Sequence, residues 1–105
     1  MSSFFRQNTE RGSIVFMKTG IFYAPSAFKH GFNEADIRQA IRTRISEVLI
    51  DEYEDKYAII GFDTKGKTLE IIYNLIDNQT MRVYHAMNCR KSFQKKYDPK
   101  GEYHG

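Results

Sequence analysis

The sequence has few of the residues that build covalent or metal-held scaffolds. Its 105 residues include one cysteine and two prolines. A single thiol excludes an internal disulfide bond and, without a companion cysteine, a cysteine-cluster zinc site. No apolar run approaches the roughly 20 residues that a membrane helix needs. The polar start at Met1 does not resemble a secretory signal, so we expect a cytoplasmic protein with no membrane contact.

Length and apolar content predict one folded domain over residues 1–105. Dividing the chain would leave neither half enough residues for a core of its own. Apolar residues make up 41% of the chain, which is too much for a disordered protein. Residues 1–24 give the weakest pattern, so we treat them as a poorly defined extension of a core at about residues 25–98. Met17 resembles a translation start, and we expect residues 1–16 to be dispensable.

The net charge of +3 is unevenly distributed along the chain. Six basic and two acidic residues lie between Arg82 and the last residue, whereas the rest of the chain is close to neutral. A basic end suits a phosphate-binding surface, because Lys and Arg gain affinity by releasing counterions from a nucleic acid. A solvated terminal helix has the same composition, so charge alone leaves both interpretations open. Five carboxylates between residues 47 and 55 predict a solvated turn rather than a metal site, because alternate positions of an extended chain point to opposite faces.

Capping residues and periodicity predict two helices. The stretch 25–31 also predicts a helical turn, which its glycine ends. Asn33 is a good N-cap, and the acids that follow it suit the positive end of a helix dipole. The helix that starts there has one stripe to bury, consisting of Ile37, Ala40, Ile41 and Ile45. Asn88 can cap the second helix, whose stripe consists of Cys89, Phe93 and Tyr97. Cys89 is accordingly predicted to be a small core residue rather than a reactive thiol.

Four extended segments lie between these helices. Residues 46–53 mix helical and extended signals, and we predict a strand that leads into the acidic turn. The segments 56–63, 67–75 and 80–87 are rich in β-branched and aromatic residues, and their short turns predict a three-stranded antiparallel meander. In the last segment, alternation places Met81, Val83, His85 and Met87 on one face and Arg82, Tyr84 and Ala86 on the other. The fold class is therefore α+β.

Histidines and a basic helix start are the candidates for chemistry. An imidazole titrates near neutral pH and can move protons in either direction. His30 follows Lys29, a cation that could hold a phosphate, and His85 lies at the centre of a strand. A structural role stays open for both histidines. Arg90 and Lys91 fall at the start of the last helix, where the dipole disfavours cations by about 0.3–1 kcal/mol. Together with free N–H groups they would form an anion site.

These residue types suit the cleavage of RNA, which carries its own nucleophile in the 2′-OH. An enzyme needs to align that hydroxyl, take its proton, protonate the leaving 5′-oxygen and stabilise the charged phosphorane. Lys, Arg and His side chains can do this without a metal or another cofactor. Tyr84 could stack on an unpaired base, although packing is the commoner role of a tyrosine in a strand.

Three short motifs occur in a recognisable order. Lys29-His30-Gly31 precedes an acid-capped helix, the stretch YAIIGFDTKGKTLEIIY carries a glycine turn, and RVYHA leads to a basic helix that ends at Tyr97. Over about residues 27–97 this order resembles the BrnT-type toxins, which are ribonucleases with a RelE-like fold in bacterial type II toxin–antitoxin systems. The resemblance implies a metal-independent endoribonuclease and a DNA-binding antitoxin that neutralises it and represses their operon. It is compatible with a homodimer or with a hetero-oligomer that contains the antitoxin.

Other positions depart from that family's pattern. His85-Ala86-Met87 stands where the family usually has Ser-Ala-Arg, and Phe62 follows Gly61 where an arginine is frequent. The positions that match the pattern directly are Lys29, His30, Ala86 and Tyr97. The two missing cations favour a second hypothesis, a non-catalytic interaction module that keeps the toxin fold. A third hypothesis is a nucleic-acid-binding regulator that uses the basic end at residues 82–105.

Chemical reasoning assigns roles within the leading hypothesis, which is the endoribonuclease toxin. Lys29 and His30 are predicted to contact the phosphate and to transfer protons. His85 is predicted to be the complementary acid or base, and Arg90 to stabilise the phosphorane. Tyr97 is predicted to be structural.

Overall fold

Five strands form one mixed sheet, which carries a helix on each of its faces. A computed structural model describes residues 20–97. In chain order the elements are β1 (Gly20–Tyr23), a 3₁₀ turn (Pro25–Phe28), α1 (Glu34–Arg42), β2 (Ser46–Asp51), β3 (Lys56–Phe62), β4 (Thr68–Asp77), β5 (Thr80–Asn88) and α2 (Lys91–Tyr97). Within the described residues, no helix is long and apolar enough to cross a membrane. The expectation that residues 1–16 are dispensable lies outside the described residues.

The sheet has the strand order β1-β5-β4-β3-β2. Strands β2 to β5 are antiparallel, which confirms the predicted meander and adds β2 to it. β1 pairs in parallel with β5, from Gly20 beside Thr80 to Tyr23 beside Val83. The α+β class is thus confirmed, and the parallel strand β1 is an addition that the predicted meander did not include. The parallel strand lies within the stretch 1–24 that the sequence pattern leaves undefined.

Helix α1 begins as predicted and ends at Arg42, before the last residue of the predicted stripe. The Asn33 side chain accepts from the Asp36 N–H at 2.9 Å, and Asp36 completes a capping box by accepting from the Asn33 N–H. Three of the four predicted stripe residues are buried, namely Ile37, Ala40 and Ile41. The fourth prediction, Ile45, is wrong, because this side chain is 48% exposed. The helix ends where the Thr43 hydroxyl donates to the Phe62 carbonyl at 3.1 Å and so binds the chain to β3.

Strand β3 and helix α1 approach each other closely at Gly61. A Cβ atom at this position would lie 1.8 Å from the carbonyl oxygen of Ala40. We expect Gly61→Ala to lower the free energy of unfolding by about 1–3 kcal/mol, because the helix must move off the sheet. Urea unfolding measures this loss. Gly20→Ala is the matched control, since its new Cβ would have its nearest neighbour at 3.8 Å. Equal midpoints for the two variants would contradict the prediction.

The two faces of the sheet carry cores of different size. We call them the α1 face and the α2 face. The larger core lies on the α1 face and consists of Ala27, Ile37, Ala40, Ile41, Ile59, Leu69, Ile71, Tyr73, Met81, Val83 and Ala86. The smaller core consists of Ala58, Ile60 and Phe93, and α2 packs there over β2 and β3. The α2 face of β5 is therefore only partly covered, and Arg82, Tyr84 and His85 on it are partly exposed.

A bulge in β5 changes which residues share a face. Tyr73 pairs with Val83, but the adjacent Ile72 pairs with His85, so that Tyr84 is one extra residue in β5. The predicted alternation therefore holds up to Tyr84 and is wrong from His85 onward. His85 lies on the α2 face, and Ala86 is fully buried on the α1 face with Val83. The extra residue reverses the period-2 pattern of everything that follows it.

The second helix begins later than its predicted cap. Asn88 is the last residue of β5 and pairs with Leu69, so the prediction that it caps α2 is wrong. Cys89 precedes the helix and packs against the smaller core, where burial raises the pKa of its thiol to about 11. This confirms the prediction of a packing residue. Phe93 is buried, and the Tyr97 ring packs against it at 4.8 Å between centroids.

The acidic stretch behaves as a turn. Residues 52–55 are exposed and connect β2 to β3. Within residues 20–97, no group of three or more His, Cys, Asp or Glu side chains is arranged to hold a metal ion. Glu47, at the start of the acidic stretch, instead accepts hydrogen bonds from Arg44 and from the Tyr73 hydroxyl.

Candidate active site

The 3₁₀ turn brings His30 to His85. β1 runs along β5 up to Val83, whose carbonyl accepts from the Ala24 N–H at 2.9 Å. The Ser26 hydroxyl then donates to the carbonyl of Tyr84, the bulge residue, at 2.7 Å. These bonds anchor the turn beside the bulge. The imidazole rings of His30 and His85 consequently lie 5.9 Å apart between centroids, at an interplanar angle of 75°.

A buried carboxylate lies within hydrogen-bond distance of both His85 and Arg90. Glu70 lies in β4 on the α2 face and is fully buried. Its Oε2 atom is 2.8 Å from His85 Nε2 and 2.7 Å from Arg90 Nη2. Its Oε1 atom accepts from Arg90 Nε at 3.1 Å and from the Arg90 backbone N–H at 3.0 Å. Both carboxylate oxygens are therefore satisfied by charged or polar donors, as a buried acid requires.

Electrostatics keep Glu70 ionised. Burial by itself raises the pKa of this carboxyl group. The hydrogen bonds from Arg90 and His85, together with the Arg90 charge, outweigh burial and hold the pKa of Glu70 below its usual value. An ionised carboxylate only accepts hydrogen bonds, so the Nε2 atom of His85 must carry a proton. Nδ1 is then the ring nitrogen that does not contact Glu70.

Arg90 is committed to Glu70 in this structure. Its guanidinium makes two hydrogen bonds to the carboxylate, while 56% of the side chain remains exposed. It precedes the first residue of α2, Lys91, rather than lying within the helix. Lys29, next to His30, is exposed at the end of the 3₁₀ turn. The structure thus brings His30 and His85 together and links Arg90 to His85 through Glu70. The roles predicted for these four residues stay predictions.

Sequence reasoning did not identify Glu70. The available signal was a glutamate within the apolar stretch 67–75, a residue type that is almost never fully buried unless it is paired. Its meaning depended on knowing that Glu70 pairs with Met87 and that Ile72 pairs with His85. The bulge hides that register from the alternation pattern. Pairing across β4 and β5 is therefore what makes Glu70 part of the site.

Basic and aromatic side chains continue the α2 face beyond the histidines. The Tyr84 ring has the Arg82 guanidinium carbon at 5.3 Å and the Lys56 ammonium at 6.0 Å from its centroid. Arg82 also donates to Asn74 Oδ1 at 3.3 Å across the β4–β5 pair. Hydrogen bonds with Glu54, 3.3 Å away, and with Tyr84 raise the pKa of Lys56. A cationic surface with an aromatic centre thus adjoins the two imidazoles.

Comparison with solved structures returns a similar fold. No family model and no curated protein matches the chain. The chain is similar to the crystal structure of the ribonuclease toxin BrnT from Brucella abortus. The two share 15% sequence identity, with 70% of this chain and 99% of that chain covered and a TM-score of 0.48. That structure comes from the family whose pattern the sequence resembles.

Proposed function

We propose that the protein is an endoribonuclease toxin of a type II toxin–antitoxin system, with the RelE-like fold of the BrnT-type toxins. One observation carries the proposal, namely the pairing of His30 with His85, 5.9 Å apart between ring centroids. The two residues come from distant parts of the chain and meet on a partly open sheet face. A structural role alone would not require two titratable rings together at a partly exposed position, one of them oriented by a buried carboxylate.

The proposed reaction is an intramolecular transesterification, in which the 2′-oxygen of RNA replaces the 5′-oxygen on phosphorus. One imidazole removes the proton of the 2′-OH, and the 2′-oxygen forms a bond to phosphorus. The bond from phosphorus to the 5′-oxygen breaks, and the other imidazole protonates that oxygen. The products are a 2′,3′-cyclic phosphate and a free 5′-OH. No step requires a metal or another cofactor.

His85 is the better candidate for the base. Glu70 fixes the proton on Nε2, so that a neutral His85 presents the lone pair of Nδ1 to a substrate. Glu70 also stabilises the imidazolium that forms after proton transfer, as the carboxylate of a catalytic triad does. His30 is then the acid, and Lys29 contacts the phosphate. Arg90 positions Glu70, and its charge, on a side chain that is 56% exposed, stabilises the phosphorane.

The partners of this proposal are RNA and an antitoxin. A DNA-binding antitoxin would neutralise the protein in a hetero-oligomer and repress their shared operon, in the cytoplasm of a bacterium. A short neighbouring gene that encodes a DNA-binding protein would support this arrangement. The resemblance of the sequence to the BrnT-type toxins is what carries this part of the proposal.

Incubation of the purified protein with RNA in EDTA tests the activity. We expect cleavage products that end in a 2′,3′-cyclic phosphate, because the 2′-oxygen is the nucleophile. An RNA with a single 2′-deoxynucleotide at the cleaved position should stay intact. The His30→Ala/His85→Ala double variant is the control for a contaminating nuclease. Intact RNA with the native protein, or undiminished cleavage by the double variant, would overturn the proposal.

A second candidate is the non-catalytic interaction module. It is favoured by the commitment of Arg90 to Glu70, which leaves the site with fewer free cations than a phosphorane-stabilising centre would use. Expression of the chain in a bacterium separates the two candidates. A toxin arrests growth unless the His30→Ala/His85→Ala substitutions are present, whereas a module gives the same growth with either chain.

A further inference from the structure

The β5 bulge places Tyr84 and His85 on the same face. Consecutive strand residues ordinarily point to opposite faces, but the extra residue removes that alternation here. The Tyr84 ring lies beside Arg82 on the α2 face, which is also the face of His85. The Ser26 hydroxyl binds the Tyr84 carbonyl and not its ring, so this bond does not depend on the Tyr84 side chain.

A second aromatic side chain extends this surface to the sheet edge. Phe22 in β1 lies beside Arg82 in β5 and is 50% exposed. Its neighbours Ile21 and Tyr23 pack against the larger core on the α1 face. Phe22 therefore points to the α2 face, where its register partner Arg82 lies beside the Tyr84 ring. We call Phe22, Arg82 and Tyr84 the stacking surface.

We propose that the stacking surface is a binding subsite for an unpaired nucleobase next to the phosphate that His30 and His85 would attack. This inference rests on the proposed function. Every base presents a flat π-face that an aromatic ring can cover, and Arg can stack on a base and bind a phosphate through the same guanidinium. Tyr84 is adjacent to the candidate base His85, so the nucleotide bound here is an immediate neighbour of the scissile bond.

Charge favours an RNA strand over another protein as the occupant. Arg82 and Lys56 lie within 5.3 and 6.0 Å of the Tyr84 ring centroid, and the two imidazoles continue the same face. Glu54 offsets part of the Lys56 charge through an ion pair at 3.3 Å. Two cations close to an aromatic ring complement a chain of alternating bases and phosphates.

Binding of a fluorescent single-stranded 2′-O-methyl RNA tests the subsite by anisotropy. This probe has no free 2′-OH, so binding is measured without cleavage. We expect Tyr84→Ala and Tyr84→Leu to weaken binding by about 5- to 150-fold, the range for loss of one stacked base. Tyr84→Phe should retain binding. Arg82→Gln should lower the slope of log Kd against log salt concentration by about 1, the change expected for the loss of one phosphate contact.

Tyr53 provides a matched control, because it is a fully exposed tyrosine between two glutamates. Tyr53→Ala should leave binding unchanged. Probes with one abasic position should show which base is stacked. When the stacked base itself is missing, Tyr84→Ala should cause no further loss of binding affinity, because both changes remove the same contact. Tyr84→Ala binding equal to the native value, or losses that add at every abasic position, would overturn the inference. So would a Phe22-dependent association of the protein with itself that blocks the probe.

The outcomes separate this inference from the proposed function. Tyr84-dependent binding by a protein that cleaves no RNA would support the subsite and overturn the proposed activity. Cleavage of RNA that is insensitive to Tyr84→Ala, with unchanged probe binding, would support the activity and overturn the subsite.

Discussion

Replacing His85 with alanine should reduce the rate of RNA cleavage by about 10²- to 10⁴-fold, the usual contribution of a general acid or base. The fold should persist, because 24% of this side chain is exposed and Glu70 keeps its bonds to Arg90. Single-turnover cleavage of a short RNA measures the effect on the chemical step. The same loss is expected for His30→Ala.

The combined variant tells whether the two imidazoles act as one unit. Groups that serve a single transition state give non-additive losses, so His30→Ala/His85→Ala should be little worse than the more damaged single variant. Met87→Leu, two residues further along β5 on the same face, is the control and should cleave RNA normally. Activity of His85→Ala within a factor of about two of native would exclude His85 as the base.

The second large effect concerns stability and pH. Glu70→Ala should lower the free energy of unfolding at neutral pH by about 3 kcal/mol, because it removes charge-assisted hydrogen bonds and leaves a cavity in the sheet. The pKa of native Glu70 is below its usual value, so its ionic stabilisation is complete above the unfolded pKa of about 4.3. This ionic stabilisation is lost as the pH falls through the pKa of Glu70 in the folded protein. The difference in the free energy of unfolding between the native protein and Glu70→Ala should accordingly become smaller in acid.

Two further variants define the control for this prediction. Glu34→Ala removes a carboxylate that pairs with Arg38 on the exposed face of α1, and should cost about 0.5 kcal/mol or less. Glu70→Gln keeps the shape without the charge and should lose less stability than Glu70→Ala, with a flatter response to acid. Urea unfolding at neutral pH and near pH 3.5 measures all three. A gap between native and Glu70→Ala that is constant over this range would refute the role of the charge.

Local patterns predict most of this fold because they record which face of each element is buried. Asn33 marks the start of α1, and the apolar spacing of Ile37, Ala40 and Ile41 identifies its inner side. The meander follows from short turns between β-rich segments. Its strands β3, β4 and β5 have bounds within two residues of the predicted ones. Both signals act over a few residues and need no knowledge of the rest of the chain.

The errors share a different physical origin, which is contact between distant segments. β1 joins the sheet only through β5, so nothing in its own short sequence specifies a parallel partner. The bulge at Tyr84 inserts one residue without a glycine or proline to mark it. Thr43 ends α1 by bonding to Phe62, a residue on another strand. Tertiary contacts of this kind override local periodicity.

The candidate site was predicted in part for the same reason. His30 and His85 could be selected by chemistry, since imidazole is suited to proton transfer near neutral pH. Arg90 could be selected as an unusual cation at a helix start, but its partner could not. Glu70 becomes recognisable only when β4 and β5 are set in register, which places a buried carboxylate under His85 and beside Arg90.

The hydrogen bond from Ser26 to the Tyr84 carbonyl has a consequence for the order of folding. It joins residues 58 positions apart in the chain. The adjacent parallel pairing of β1 with β5 closes a loop of similar length. Such contacts form late, because the entropy of closing the loop is lost before the contact is gained. The two imidazoles therefore meet only after β5 is in place beside β1. During synthesis, a growing chain without β5 contains His30 but not His85. Any activity that needs both imidazoles therefore begins only after β5 has docked beside β1.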